Sequence, residues 1–184
     1  MREAIGMIEL SSVGIGLAVQ DAMLKAADVE LVLGRTICSG KFINVVTGNI
    51  AAVRASMAAG LAAAPDGVID HITIPNIHES VFRALGQSVQ LDDDRPGAVG
   101  IIESFSAASI LEAADAAAKA AAITLYRIHL AMALGGKGFA LMAGTVADCR
   151  AGVEAGAQLV REKGLLVSSV VIPGPSKELF REYI

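Results

Sequence analysis

Cys38 is the residue with the most chemistry to offer. It stands in the segment GRTICSGKF, between Gly34 and Phe42, next to Ser39, Gly40 and Lys41. A tight turn there would expose the thiol, and the neighbouring lysine would favour its thiolate. One thiolate does not hold a metal cluster, which usually takes about four cysteine ligands. Cys38 is therefore either an incidental thiol or a ligand whose companions come from other copies of the chain. Cys149 differs: it aligns with Val53 on the apolar face of a helix, which makes it a small buried hydrophobe. With only these two cysteines, no disulfide framework holds the fold.

The remaining reactive side chains are sparse. The histidines are His71, His78 and His129, and none lies in a pattern of nucleophile, base and orienting group. His71 reads as preceding a strand, His78 as heading a short helix after Ile74-Pro75, and His129 as lying near a strand end beside a second turn. Surface, capping or structural roles fit all three, with lining an opening as the alternative for His129. The segment GRTICSGKF is not a phosphate loop: five residues separate Gly34 from Gly40, and Phe42 follows Lys41 where Ser or Thr is needed. It joins two strands, so no helix N-terminus would cradle a phosphate. It reads as a hairpin turn with Gly40 at positive φ, and Gly135-Gly136 before Lys137 reads the same way. Asp92, Asp93 and Asp94 are a solvated linker, because consecutive carboxylates rarely converge on one ion. The chain is not expected to be an enzyme.

Composition narrows the class further. The 184 residues carry a net charge of -4, are 54% hydrophobic and only 4% aromatic, and contain no Trp. Ala, Val, Ile and Leu therefore supply the apolar surface, and small side chains allow close packing. No basic run points to nucleic acid. No stretch of about 18 apolar residues escapes a charge or turn signal, so no membrane span is expected. A mean hydropathy of +0.58 is high for a monomer and calls for protein partners. The first residues do not resemble a secretory leader, which points to the cytoplasm.

These residues are positioned by a duplicated unit. AIGMIELSS (4–12) faces AVGIIESFS (98–106), and DAMLKAADVEL (21–31) faces DAAAKAAAITL (115–125). After a two-residue insertion Gly48 matches Gly144, Arg54 matches Arg150 and Gly60 matches Gly156. ITIPNIHESVFRAL then faces VVIPGPSKELFREY. Residues 1–86 form one copy, 87–97 a polar linker, and 98–184 the second copy.

The first copy predicts a strand over 4–10 and a helix from the Ser12 cap to Ala27, with Ile15, Ala18, Val19, Ala22, Met23 and Ala26 on its inner face. Strands are expected over 29–33 and 42–47, a helix over 50–64 through Ile50, Val53, Met57 and Leu61, a strand over 68–74 and a short helix over 79–85. Ser106 repeats the cap. The expected class is α+β: two tandem ferredoxin-like, split βαβ domains, each an antiparallel sheet with helices on one face.

The paired AIGMIELSS and DAMLKAADVEL motifs, the turn ending in SGK and the IP dipeptide before the last helix resemble the bacterial microcompartment shell domain. Two copies in one chain are similar to the tandem-domain, trimer-forming shell proteins, including their propanediol-utilization members. The resemblance covers nearly the whole chain. It implies a homotrimer of six domains, pseudohexagonal in outline, that tiles beside other shell proteins in a microcompartment shell, with the turn between the second and third strands on the central axis. It implies Cys38 as a metal ligand, three copies holding one 4Fe-4S cluster per trimer, with one iron left for a non-protein ligand. Ile37, Ser39, Gly40, Lys41, Gly135, Gly136 and Lys137 would surround the pore or cluster. Lys25, Lys119 and His78 would lie at the tile edge, although Asn76-Ile77 and Ser176 depart from the usual edge pattern.

The function implied is a shell tile whose cluster passes electrons, or iron, across the shell, with an encapsulated redox enzyme or electron carrier as partner. The alternative is a trimer with a central metabolite pore and no cluster. A third reading, a small-molecule sensor on the same plan, would bind its ligand between subunits without tiling.

Overall fold

The computed structural model describes residues 3–89 and 97–179; the acidic linker Asp92–Asp94 and the residues after Leu179 lie outside the described residues. The elements are β1 (Ala4–Leu10), α1 (Val13–Ala26), β2 (Glu30–Ile37), β3 (Lys41–Gly48), α2 (Ile50–Ala63), β4 (Val68–Pro75), α3 (Ser80–Leu85), β5 (Ala98–Ser104), α4 (Ala107–Ala120), β6 (Thr124–Leu130), β7 (Gly138–Gly144), α5 (Val146–Glu162) and β8 (Leu166–Pro173). Each long helix starts on a side-chain cap. Ser12 Oγ accepts from the Ile15 amide at 3.3 Å and Ser106 Oγ from the Ser109 amide at 3.2 Å. Asn49 and Thr145 cap α2 and α5 in the same way.

The two sheets have the orders β2-β3-β1-β4 and β6-β7-β5-β8, antiparallel throughout. Each is therefore an α+β, split βαβ unit. The duplication reaches down to the register irregularities: the bulge at Glu9/Leu10 recurs at Glu103/Ser104, and that at Leu31/Leu33 recurs at Leu125/Arg127. In the first unit α1 and α2 bury Val19, Met23, Val53 and Met57 against Ile8 and Val46 of the sheet. At roughly 25 cal/mol per Å², such burial is the main term holding helices to sheet.

Three details depart from the sequence expectation. On α1 Ala18 and Ala26 are exposed, and Gly16 is buried instead. The Phe42 ring presses there, so that a Cβ on Gly16 would lie 2.4 Å from it. Strand β2 runs on to Ile37, since pairing with β3 continues to Ile37↔Lys41. His71 does not precede a strand but lies inside β4, opposite Ile8 and exposed.

Packing divides the chain between Ile77 and His78 into two compact units. The short helix α3, which the sequence repeat places at the end of the first copy, packs on β6 and α4. It buries Val81 and Ala84 completely there. Among the described residues no helix is long and apolar enough to cross a membrane.

Candidate functional site at the inter-strand turns

Ile37 ends β2 with its side chain buried, 6% exposed, and so fixes where the turn begins. Cys38, Ser39 and Gly40 form a single 3-10 turn before Lys41 opens β3. Two successive residues are left-handed: Gly40 at φ 72, as the sequence predicts, and Ser39 at φ 66. A left-handed serine costs about 1 kcal/mol, which the surrounding strand pair supports. Cys38 is half-buried, whereas Ser39 and Gly40 are exposed. A Cβ on Gly40 would meet nothing within 4 Å, so the tip is open to an approaching group.

Lys41, the cation next to the turn, is ion-paired with a carboxylate of β1. Its Nζ donates to Glu9 Oε1 at 2.8 Å, and that carboxylate side chain is 5% exposed. The second unit repeats the arrangement, Lys137 Nζ donating to Glu103 Oε1 at 2.7 Å, with Ser168 Oγ donating to the other carboxylate oxygen. Sequence reasoning missed both glutamates. The signal was present, since Glu9 and Glu103 occupy the same place in AIGMIELSS and AVGIIESFS, but each lies more than thirty residues from its lysine.

Removing the acceptor charge at the more buried pair has the larger effect. Glu9→Gln is expected to lower unfolding free energy by about 1–2 kcal/mol, and Glu103→Gln by less than about 1 kcal/mol. Denaturant titration of the two variants side by side checks the order.

The second turn is longer and carries no thiol. Ala131 and Ala133 lie at φ 55 and 59, and Gly135 and Gly136 at φ 61 and 92. Met132, 45% exposed, stands where the first copy has Cys38. His129 pins this turn: Nε2 donates to the Met132 carbonyl at 2.6 Å, and the ring stacks on Phe139 at 5.1 Å between centroids. The other ring nitrogen, Nδ1, is buried without a hydrogen-bond partner among the described residues.

Cys149 is fully buried on α5, its Sγ 3.5 Å from the Ala98 carbonyl oxygen. Burial, and then the Asp148 carboxylate, push its thiol above the ordinary range. It is not a ligand. Among the described residues no three His, Cys, Asp or Glu side chains gather in metal-binding geometry. One chain thus offers a cluster one thiol, at an open tip with room for close backbone approach; that donor fits an iron–sulfur cluster only as one of several supplied by symmetry. Such a group would supply one-electron transfer.

The expected edge residues fall into two places. Lys25 Nζ donates to Asp21 Oδ2 at 2.6 Å, with both side chains exposed. Lys119 Nζ donates to Asp115 Oδ2, also at 2.6 Å, and Asp115 Oδ1 accepts the His78 amide at 2.7 Å. The His78 ring in turn takes the Ser80 amide on Nδ1. Lys119 and His78 therefore meet through Asp115, a residue that sequence reasoning did not single out.

A chain made of two such units, each matched by the same domain model at residues 4–77 and 98–175, belongs to the BMC domain family. It is a structural protein of a bacterial microcompartment shell. Over its whole length it is 41% identical to the bacterial microcompartment shell protein PduT of Citrobacter freundii, covering 99% of that protein. The single-domain shell protein PduA of Salmonella typhimurium is 36% identical over 90 residues, 48% of this chain and 96% of PduA, as a duplication requires. A solved structure, a microcompartments protein from Desulfitobacterium hafniense DCB, superposes with a TM-score of 0.93 at 41% identity, covering 98% of this chain and 99% of that one.

Proposed function

We propose that three copies of this chain form a pseudohexameric shell tile, and that their three Cys38 thiolates hold one 4Fe-4S cluster on its axis. The observation that carries this reading is the placement of one accessible thiol per chain at an open, left-handed turn tip, with the other cysteine buried elsewhere. Threefold symmetry converges three such tips and alternates them with the thiol-free second turn. Ile37 anchors the turn, Ser39 and Gly40 flank the metal group, and Gly135 and Gly136 line the spacer turns. The cluster would pass electrons, or deliver iron, between the two sides of the shell, to an encapsulated redox enzyme or carrier. No residue of the chain is assigned a catalytic step.

The pairing of Lys41 with Glu9 and of Lys137 with Glu103 favours a second reading. It leaves these turn lysines charge-compensated, which suits a pore for an uncharged metabolite without a cluster. Iron and acid-labile sulfide per trimer, measured with the native mass of anaerobically purified protein, decide between them. Four iron and four sulfide on a three-chain mass are expected. Protein that stays colourless after anaerobic reconstitution with iron and sulfide leaves the pore.

A further inference from the structure

The turn between β6 and β7 is bent further from ordinary backbone than its repeat. Four of its residues are left-handed, and two of these, Ala131 and Ala133, carry a Cβ that disfavours that region. Two backbone bonds help to close it, from the Ala131 amide to the Lys137 carbonyl at 3.1 Å and from the Lys137 amide to the Leu134 carbonyl at 3.3 Å. The bond from His129 Nε2 to the Met132 carbonyl ties down the middle of the turn.

His129 stands in the repeat where the first copy has Arg35: Arg35 pairs with Ile43 of β3, and His129 with Phe139 of β7. One unit thus places a permanent cation before its turn and the other a ring that can gain or lose its charge. A carbonyl oxygen only accepts, so the bond to Met132 fixes the proton of the neutral ring on Nε2. Nδ1 is then a bare lone pair, buried and without a hydrogen-bond partner among the described residues. A second proton would turn it into a charged donor with no acceptor, the costly form of a buried polar group. The charge-assisted gain at Nε2 is the smaller effect.

The charged neighbours do not relieve that cost. Glu103 lies in the same cross-strand row, beyond Phe139, and its carboxylate is engaged by Lys137 and Ser168. Arg127, two residues back on β6, is a second cation. Of the helices packed on β6, α3 brings Glu79 and Arg83, which pair with each other, and α4 brings Asp115 paired with Lys119 and Glu112 paired with Lys163. We infer that His129 is a proton-operated latch on the second turn. Neutral, it holds the Met132 carbonyl; protonated, the ring leaves that carbonyl for solvent and the turn loosens. The inference goes beyond the shell reading and depends on neither the trimer nor the cluster.

Methyl-labelled methionine spectra of the full chain, recorded from about pH 8 down to about pH 5, read the latch through Met132, with Met132→Leu giving the assignment. The Met132 signal is expected to shift in step with the titration of the His129 ring, while those of the buried Met7, Met23, Met57 and Met142 stay in place. Hydrogen exchange of the amides at 131–137, corrected for its intrinsic pH dependence, is expected to quicken about tenfold on protonation, as the loss of one hydrogen bond allows, with no such change at 38–41. His129→Gln keeps a donor that does not titrate and is expected to hold the Met132 signal at its high-pH position throughout. His129→Phe removes the donor and is expected to hold it at the low-pH position. A Met132 signal that stays fixed across the range, one that still moves in His129→Gln, or methionine signals that all move together overturns the latch.

Discussion

Cys38→Ser is expected to abolish the cluster completely while leaving the fold and the native mass unchanged. Symmetry multiplies the substitution: a single codon removes all three protein ligands of the proposed site at once. Serine retains the shape of the side chain but replaces a soft thiolate with a hydroxyl that stays protonated near neutral pH and binds iron–sulfur clusters poorly. The cost to folding is small, within about 0.5 kcal/mol, because Cys38 is half-buried at a turn tip rather than packed in the core. The measurements are visible absorption, iron and sulfide per chain, and sedimentation of both proteins after identical anaerobic reconstitution. Iron retained at wild-type level in the variant would locate the metal elsewhere. The converse control is Cys149→Ser, which would leave iron content unchanged, since that thiol is fully buried against Ala98.

What the sequence made legible was whatever is local or repeated. The caps at Ser12 and Ser106 were readable because the acceptor and its amide lie three residues apart. The sheet plan followed from the strand and helix periods of two similar copies, and Gly40 marked the left-handed turn. The misses are non-local. Gly16 carries no hydrophobic signal, and only the fold brings Phe42 onto it. Glu9 reads as the polar residue of an alternating strand until β3 places Lys41 beside it. The helix α3 shows the same limit. Its residues repeat in the second copy, but nothing in their pattern says that its packing partners are β6 and α4. Periodicity names the buried side of an element without naming its partner.

Gly60 and Gly156 occupy the same place in the repeat, yet their alanine variants are expected to differ sharply in stability. A Cβ on Gly156 would lie 2.5 Å from the Ala113 carbonyl oxygen of α4 and 2.6 Å from Ile102 Cδ1. The first neighbour is helix backbone, so relief requires α4 and α5 to separate, which strips contacts along the whole helix pair. A Cβ on Gly60 would meet Ile8 Cδ1 and Met23 Cγ, both at 2.7 Å, and Met23 Sδ at 3.0 Å. These are the ends of flexible side chains, and methionine in particular can rotate away. Alanine also gains about 1 kcal/mol of helix propensity at either site, which offsets part of each cost. Gly156→Ala is therefore expected to lose about 2–4 kcal/mol and Gly60→Ala about 1 kcal/mol or less. In a unit of this size the first loss corresponds to a fall in Tm of roughly 10 °C or more. Calorimetry of both variants at one protein concentration makes the comparison, the fixed concentration removing the mass-action term of assembly. Equal shifts for the two would mean that α4 and α5 yield as easily as a methionine side chain, contrary to the close backbone approach that Gly156 allows.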